Sequence, residues 1–198
     1  MSGVMNMWDQ RYKSEEYMYG KRPNDFFREQ LLSFRPGKIL LPAEGEGRNA
    51  VFAAKMGWQV TAFDSSGQGK KKAEKLAREN NVEINYQVIS IDDADFEENS
   101  FDLMALFFVH AMNRKNNHQK LIRFVKPGGV VLLEAFSKKQ INNATGGPPR
   151  LEMLFSIEEL EEDFSGLAEK KIWEDEVFLD EGKGHFGKAN VIRLIGRK

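Results

Sequence analysis

The chain has 198 residues, 41% of them hydrophobic and 30% charged, with a formal net charge of −1. That length and composition suit one soluble globular domain with a full-sized core. They exclude a duplex-binding surface driven by phosphate neutralisation. The absence of cysteine excludes disulfides, a zinc–thiolate centre and a cysteine nucleophile.

The N-terminus, "MSGVMNMWDQRYKSEEY", lacks a basic start followed by an apolar core, so no secretory signal is read there. The longest apolar run, Leu103 to Val109, is too short to cross a bilayer. A cytoplasmic protein without membrane or nucleic-acid partners is expected. Asn24 or Asp25 caps a first helix carrying Phe26, Phe27, Leu31 and Leu32 inward, and "RPG" at 35–37 ends it. "KILLPA" reads as a strand. A helix over Asn49–Met56 follows, stopped at Gly57 where a left-handed residue is needed. "WQVTAFD" is the second strand. Gln68–Asn80 is a helix with Ala73, Leu76 and Ala77 on one face, and its Lys70–Lys72 triplet reads as a solvated face. "EINYQVIS" and "FDLMALFFV" are strands three and four. Residues 115–126 form a helix, "KPGG" a turn and "GVVLLEAF" the fifth strand. Nearly continuous apolar strands belong to parallel sheets covered on both faces. Alternation of strand and helix gives the α/β, doubly wound class. Ser156 caps a last helix, "IEELEEDF", and two final strand-like runs joined by "EGKGHFG" pair as an antiparallel hairpin. The expected sheet has seven strands, mostly parallel. Residues 1–36 form an N-terminal helical cap, 37–136 a cofactor-binding core, and 137–198 an acceptor-side loop, helix and hairpin.

"GEGRNA" places Gly45, Gly47 and Ala50 in a G-x-G-x-x-G/A pattern between a strand and a helix. Small residues there let the backbone turn sharply and let a ligand lie against the main chain. Asp64 ends the next strand, where a carboxylate accepts both hydroxyls of a ribose. The competing reading is a tightened turn with Asp64 capping the following helix. A second acidic site follows strand three in "ISIDDADF", where Asp92 or Asp93 can accept from an adenine amino group. That third contact and the final hairpin favour S-adenosylmethionine over NAD.

These residues carry a resemblance. The chain resembles the class I S-adenosylmethionine-dependent methyltransferases, in the branch around the tellurite-resistance and thiopurine methyltransferases. Its marks are "AEGEGRNA", "AFDSS", "IDDADF", "FDLMALFFVHAMNR", "KPGGVVLLEAF", "TGGPP", "EGKGHFGKANV" and the N-terminal "WDQRY…YGKRPNDF". The resemblance implies that Gly45 and Gly47, with Glu44 beside them, face the methionine part of the cofactor. It implies that Asp64 takes the ribose, that Asp92 (or its rival Asp93) meets the adenine, and that Phe107 and Phe108 border the methyl group. Trp8 would close the pocket from the cap, and Ala43, Arg48, Asn49 and Ser65 complete the cofactor set. Two positions depart from the class. Leu41 stands where an aspartate is usual and Ala43 where a glycine is usual, so the ammonium group loses its usual acid and Glu44 is the candidate substitute.

The implied reaction is direct displacement onto a small-molecule acceptor with an S, Se, Te, O or N nucleophile. A hydroxyl or amine acceptor calls for a general base where a soft anion does not. His110, past strand four, and His185, in "EGKGHFG", are the candidate catalytic histidines, each set against a purely structural role. His118, on a surface helix, is expected to be solvated. Arg114 and Arg150 could orient an anionic acceptor, against the plainer reading of exposed loop charges. Glu134, inside an apolar strand, needs a partner. "TGGPP" at 145–149 shapes the acceptor pocket or serves only as a crossover. Trp8, Tyr12, Tyr17 and Tyr19 either cover the cofactor or pack the cap on the sheet. The three histidines have no paired spacing, so no metal is expected. A non-catalytic sensor of S-adenosylmethionine or its demethylated product, and an NAD(P)-binding oxidoreductase, are the alternative readings. Sequence alone leaves the oligomeric state open.

Overall fold

The computed structural model of the chain describes residues 7–198. In chain order the elements are α1 (Met7–Arg11), α2 (Asp25–Leu31), β1 (Lys38–Pro42), α3 (Arg48–Lys55), β2 (Gln59–Asp64), α4 (Gly67–Glu79) and β3 (Asn85–Val88). β4 (Phe101–Phe107), α5 (Arg114–Ile122), β5 (Val125–Phe136), α6 (Ile157–Asp163), β6 (Glu169–Asp180) and β7 (Phe186–Arg197) follow. Short 3-10 turns at Lys138–Asn142 and Leu151–Met153 lie between β5 and α6. The first six residues of the sequence, including the start of the expected cap, lie outside the described residues.

The strands form one sheet in the order β3-β2-β1-β4-β5-β7-β6. β3 through β5 are parallel, while β7 pairs antiparallel with both β5 and β6. This is a doubly wound α/β sheet with a terminal antiparallel hairpin. Continuous apolar strands arise here because successive side chains enter different cores. Met104 and Leu106 of β4 join Val131 and Leu133 of β5 in one cluster, with Leu121 of α5 and Leu160 of α6. Leu103 and Ala105 join Val130 and Leu132 in another, with Phe27 of α2 and Ala50 of α3. A strand buried on both faces has no solvent side on which to show polar alternation.

The helix starts follow local chemistry. Asn24, not Asp25, caps α2, its side chain accepting from the Phe27 N–H at 2.9 Å. Leu32, expected inside, is 63% exposed, because α2 has already closed at Leu31 and Leu32 is its C-cap. Ser156 and Glu159 form a reciprocal capping box on α6. Ser156→Ala is expected to lower stability by about 1 kcal/mol, read as a shift of the urea midpoint at constant slope; an unchanged midpoint would show the box to be idle.

Three local expectations are corrected. "KPGG" is not a separate turn: it lies within β5, with Gly128 left-handed and the β4–β5 register shifting between Phe101 and Leu103. α5 ends at Ile122, so Val125 belongs to β5 rather than to the helix. His118 is not solvated. It is 3% exposed, with Nδ1 2.8 Å from Asp163, which also receives the Arg114 Nε–H at 2.6 Å. The polar composition of α5 hides this, because at His118 its inward face meets a carboxylate on α6 beside the rings of Phe155 and Phe164.

Candidate active site

The strand order reverses at β1: β2 lies on one side, β4 on the other. Loops leaving β1 and β4 therefore diverge at the carboxyl end of the sheet, where open α/β sheets hold ligands. A cavity of about 710 Å³ opens there, within the usual range for small-molecule sites. Among its lining residues are Trp8, Ala43, Glu44, Gly45, Arg48, Asn49, Asp64, Ser65, Asp92, Phe107, Phe108, His110, Arg150 and His185. Of the candidates from sequence, Gly47, Asp93 and Arg114 are not in that lining.

Gly47 acts one step back. Its φ is +87°, and a Cβ there would stand 2.4 Å from the Ala73 Cβ of α4. The bare α-carbon lets the N-terminus of α3 sit against α4, turning the loop so that Glu44 and Gly45 face the cavity. Gly45 is left-handed as well, as is Ala43 at φ 50°. The left-handed conformation explains why glycine is usual at position 43, and alanine tolerates it at some cost in strain. Leu41, where the class usually has an acid, is buried in the core cluster under α2 and α3. Glu46, the residue between the two loop glycines, also lines the cavity and pairs with Lys72 at 2.5 Å. Lys72 is thus a buried staple rather than part of a solvated basic face.

Asp64 ends β2 and is 6% exposed. Its Oδ2 accepts from the Gly45 N–H at 3.0 Å and its Oδ1 from the Ser66 N–H at 2.8 Å. Burial raises its pKa, and those two N–H groups oppose the rise. Each oxygen retains a lone pair for a ligand hydroxyl. Asp64 thus pins the turn and faces the cavity, while the cap of α4 is Ser66, whose side chain accepts from the Gly69 N–H. Glu44, half-buried, accepts from the Ala50 N–H at 2.7 Å at the start of α3. Burial pushes its carboxyl up to about 7, against the pull of that N–H and of Arg48. Asp92 lines the cavity and accepts from Asn113 at 3.1 Å. Asp93 is turned into a local bond with Ser90 at 2.7 Å. The cap closes one side. Trp8 stacks on Tyr12 at 5.6 Å, and Asp9 accepts from the Ser66 hydroxyl at 2.6 Å, tying α1 to the start of α4.

The other half of the cavity is aromatic. Phe108 follows β4 in a left-handed conformation, φ 55°, a strained state for a bulky side chain. Its ring lies 4.7 Å from Phe136 and 4.4 Å from His185. Phe107 lines the cavity, but its ring packs edge-on against Phe27 at 5.3 Å. Gly146 and Pro148 of "TGGPP" and Met153 complete this wall.

The two histidines differ. His110 places Nδ1 2.7 Å from the Met153 carbonyl, and its Nε2 accepts from the Phe136 N–H at 3.3 Å. Both nitrogens are engaged, and burial holds its pKa down to about 4. It staples the β4 exit to the 3-10 turn at Leu151–Met153 and has no lone pair for an acceptor. His185 places Nδ1 3.1 Å from Glu181 Oε2, the oxygen that also receives the Arg48 Nη2–H at 2.9 Å. Glu181 was not singled out from sequence; the only signal was its place four residues before a histidine in a glycine turn. The expected orienting role of Arg114 is corrected: its guanidinium is held by Asp163 and by Glu159 at 3.1 Å, away from the cavity. Arg150 is exposed at the rim. Glu134 finds its partners in Arg193 Nε at 2.6 Å and Asn24 Nδ2 at 2.6 Å. Among the described residues no helix is long and apolar enough to cross a membrane.

The loop, the acid and the cavity volume fit an adenosyl ligand. Gly47, bare of a side chain, lets α3 approach α4 behind the loop, and Asp64 offers two buried acceptor oxygens. Comparison with known proteins agrees. Residues 39–129 match a family described as a methyltransferase domain. The ubiquinone biosynthesis O-methyltransferase of Rickettsia akari is 28% identical over 104 residues, which is 52% of this chain and 41% of that enzyme. The chain thus spans about two fifths of the length of that curated relative. TehB of Haemophilus influenzae superposes with a TM-score of 0.68 at 19% identity, over 96% of this chain and 65% of that one. An S-adenosylmethionine-dependent methyltransferase of Methanosarcina mazei gives 0.65 at 16%, over 89% and 98%. Likeness at such identities is likeness of fold. Residues 39–129, which hold the loop and the acid, thus match a methyltransferase domain, and the sheet has the fold of S-adenosylmethionine-dependent methyltransferases.

Proposed function

We propose that the chain transfers the methyl group of S-adenosylmethionine to a small-molecule acceptor that enters between "TGGPP" and the turn carrying His185. The observation that carries this reading is the single cavity shared by Asp64 and the Gly45 loop on one side and by Phe108, Gly146 and His185 on the other. When bound, S-adenosylmethionine supplies a methyl on a sulfonium, a leaving group that needs no further activation.

The chain's own part is to bind, orient and exclude water. Asp64 accepts the two ribose hydroxyls and Asp92 the adenine amino group, while Trp8 and Tyr12 cover the pocket from α1. Glu44 faces the ammonium group in place of the acid that Leu41 has displaced. Aromatic edges at Phe108 and Phe136 keep the acceptor side dry, and dry sites strengthen fixed dipoles. Holding acceptor and methyl in line removes most of the entropy of encounter.

Calorimetry with S-adenosylmethionine, its demethylated product and NAD tests the binding half. Tight NAD binding without response to the methionine nucleotide would end the proposal. A transfer screen across thiols, selenite, tellurite and phenols tests the rest; silence across it with binding intact would favour a sensor.

Glu44 gives a more specific expectation. In the ligand-free protein its carboxyl sits at about 7. An arriving ammonium favours the carboxylate, so its pKa falls on binding and a proton is released. Cofactor binding near pH 6.5 should therefore release a fraction of a proton, declining toward zero above about pH 8, where Glu44 is already charged. Calorimetry in two buffers of different ionisation enthalpy measures this. Equal release from Glu44→Gln would move the ammonium contact elsewhere.

A further inference from the structure

The turn between β6 and β7 holds a histidine whose two nitrogens face different worlds. Nδ1 of His185 meets Glu181 Oε2 at 3.1 Å. Glu181 is itself anchored, with the Arg48 guanidinium at 2.9 Å and Asn24 Nδ2 at 2.9 Å. Among the described residues Nε2 has no hydrogen-bond partner, and it is not among the sealed, unpartnered atoms. The residue lines the cavity. The ring is boxed by Tyr19 at 4.5 Å, Phe108 at 4.4 Å and Phe136 at 5.1 Å. The remaining approach passes Gly146, where an added Cβ would come within 2.9 Å of Cδ2 and 3.6 Å of Nε2. The nearest atom to that Cβ is the Gly184 carbonyl oxygen at 2.6 Å, so a glycine with φ +123° lets the 145–149 loop pack on the His185 turn without putting a side chain against the Nε2 edge.

We propose that His185, oriented by Glu181, is the general base for an aromatic acceptor bearing a phenol-type hydroxyl. A carboxylate on Nδ1 fixes the proton there, so Nε2 presents a lone pair to the cavity, the arrangement a base requires. The aromatic box around the ring supplies flat apolar walls for an aromatic acceptor. In the transfer, the acceptor O–H bond breaks and its proton passes to Nε2. The electron pair stays on oxygen and forms the new O–CH₃ bond, while the bonding pair of the broken S–CH₃ bond remains on sulfur. The positive charge that the sulfonium gives up reappears on the imidazolium beside Glu181, so charge is conserved within the site. The charged and titratable groups around the ring are Glu181 on its own turn, Arg48 from α3, Arg11 and Tyr19 from the cap, and His110 from the β4 exit. Burial lowers the His185 pKa and Glu181 opposes the fall, so the ring is in its basic form at neutral pH. Glu181 itself stays charged, held at about 2 by Arg48 and His185 against the effect of burial.

This inference rests on the methyltransferase reading, and its test separates the two. Histidine-directed ¹⁵N NMR of the ligand-free full chain reads the dyad without any turnover. Expected at pH 7 is a neutral His185 ring with its proton on Nδ1, assigned by loss of that signal in His185→Gln. Its pKa should fall in Glu181→Gln. A proton on Nε2, or a pKa indifferent to Glu181→Gln, overturns the dyad. Transfer is then followed with a para-substituted phenol series and with thiophenol, which is already ionised at pH 7. His185→Gln should lose about 100-fold in kcat/KM with the phenols, along with the rising acid limb of the pH profile. With thiophenolate it should lose less than about threefold, since no proton has to be removed. Equal loss for both, or a loss under about tenfold with the phenols, overturns the base. Wild-type protein that binds S-adenosylmethionine but methylates no phenol overturns this acceptor class while the methyltransferase reading stands. Failure to bind the nucleotide at all sinks that reading instead.

Discussion

Asp64→Ala is expected to weaken S-adenosylmethionine binding by about 10²- to 10⁴-fold. Two hydrogen bonds from ribose hydroxyls to an ionised acceptor are lost, each worth about 1.5–3 kcal/mol, and each 1.4 kcal/mol is tenfold in affinity. The effect is large because Asp64 is almost fully buried, so water does not replace it as an acceptor. The same substitution also frees the Gly45 and Ser66 N–H groups, which Asp64 holds at 3.0 and 2.8 Å. Asp64→Asn separates the two effects. It keeps a carbonyl for one N–H and one hydroxyl but loses the charge, so its affinity should fall between wild type and alanine. Calorimetry with the demethylated product measures all three. A loss below about tenfold in Asp64→Ala would move the ribose off this residue.

Gly47→Ala is expected to cost about 2–5 kcal/mol in folding stability and to abolish measurable cofactor binding. A left-handed conformation at a residue with a Cβ costs about 1–2 kcal/mol, and overpacking a close contact about 1–3 kcal/mol more. The contact is severe here because the new methyl would meet the Ala73 side chain and α-carbon, 2.4 and 2.7 Å away, on the buried face of α4. Relief requires α3 and α4 to separate, which carries Gly45 away from Asp64. Urea unfolding and nucleotide titration test the two halves independently. Gly47→Ala with wild-type stability and affinity would mean that the α3–α4 contact does not shape the crevice. Because Gly47 is outside the cavity lining, a loss of binding in protein that the urea titration shows to be folded reports on loop shape.

Much of the fold was legible because it is written in local repeats. The apolar runs of β4 and β5, the glycine at position 57 and the Ser156 cap each act over a few residues. Their neighbours in sequence carry the information. The cofactor half of the site is legible for the same reason. Gly45, Gly47 and Asp64 sit at the ends of consecutive elements of one β–α–β unit, so the order of elements alone brings them together. The misreadings share a different cause. Leu32 was assigned inward by periodicity, yet the helix ended one residue earlier. His118 was read as solvated and Arg114 as an acceptor-orienting or exposed loop charge, whereas their partner Asp163 lies 45 and 49 residues further along the chain.

The sequence by itself determined the layer order, the glycine loop and the acid that ends β2, because backbone periodicity and turn chemistry are local properties. Only the tertiary structure decided which histidine keeps a ring nitrogen without a protein partner among the described residues. His110 and His185 look alike in sequence, one just beyond β4 and the other just before β7. One has both nitrogens engaged by backbone groups of Met153 and Phe136; the other has Glu181 on one side and the cavity on the other. Glu181 in turn meets Arg48 across 133 positions of chain. Pairings of that kind depend on how the sheet's two ends are brought round to one another, and no local pattern of residues encodes that distance.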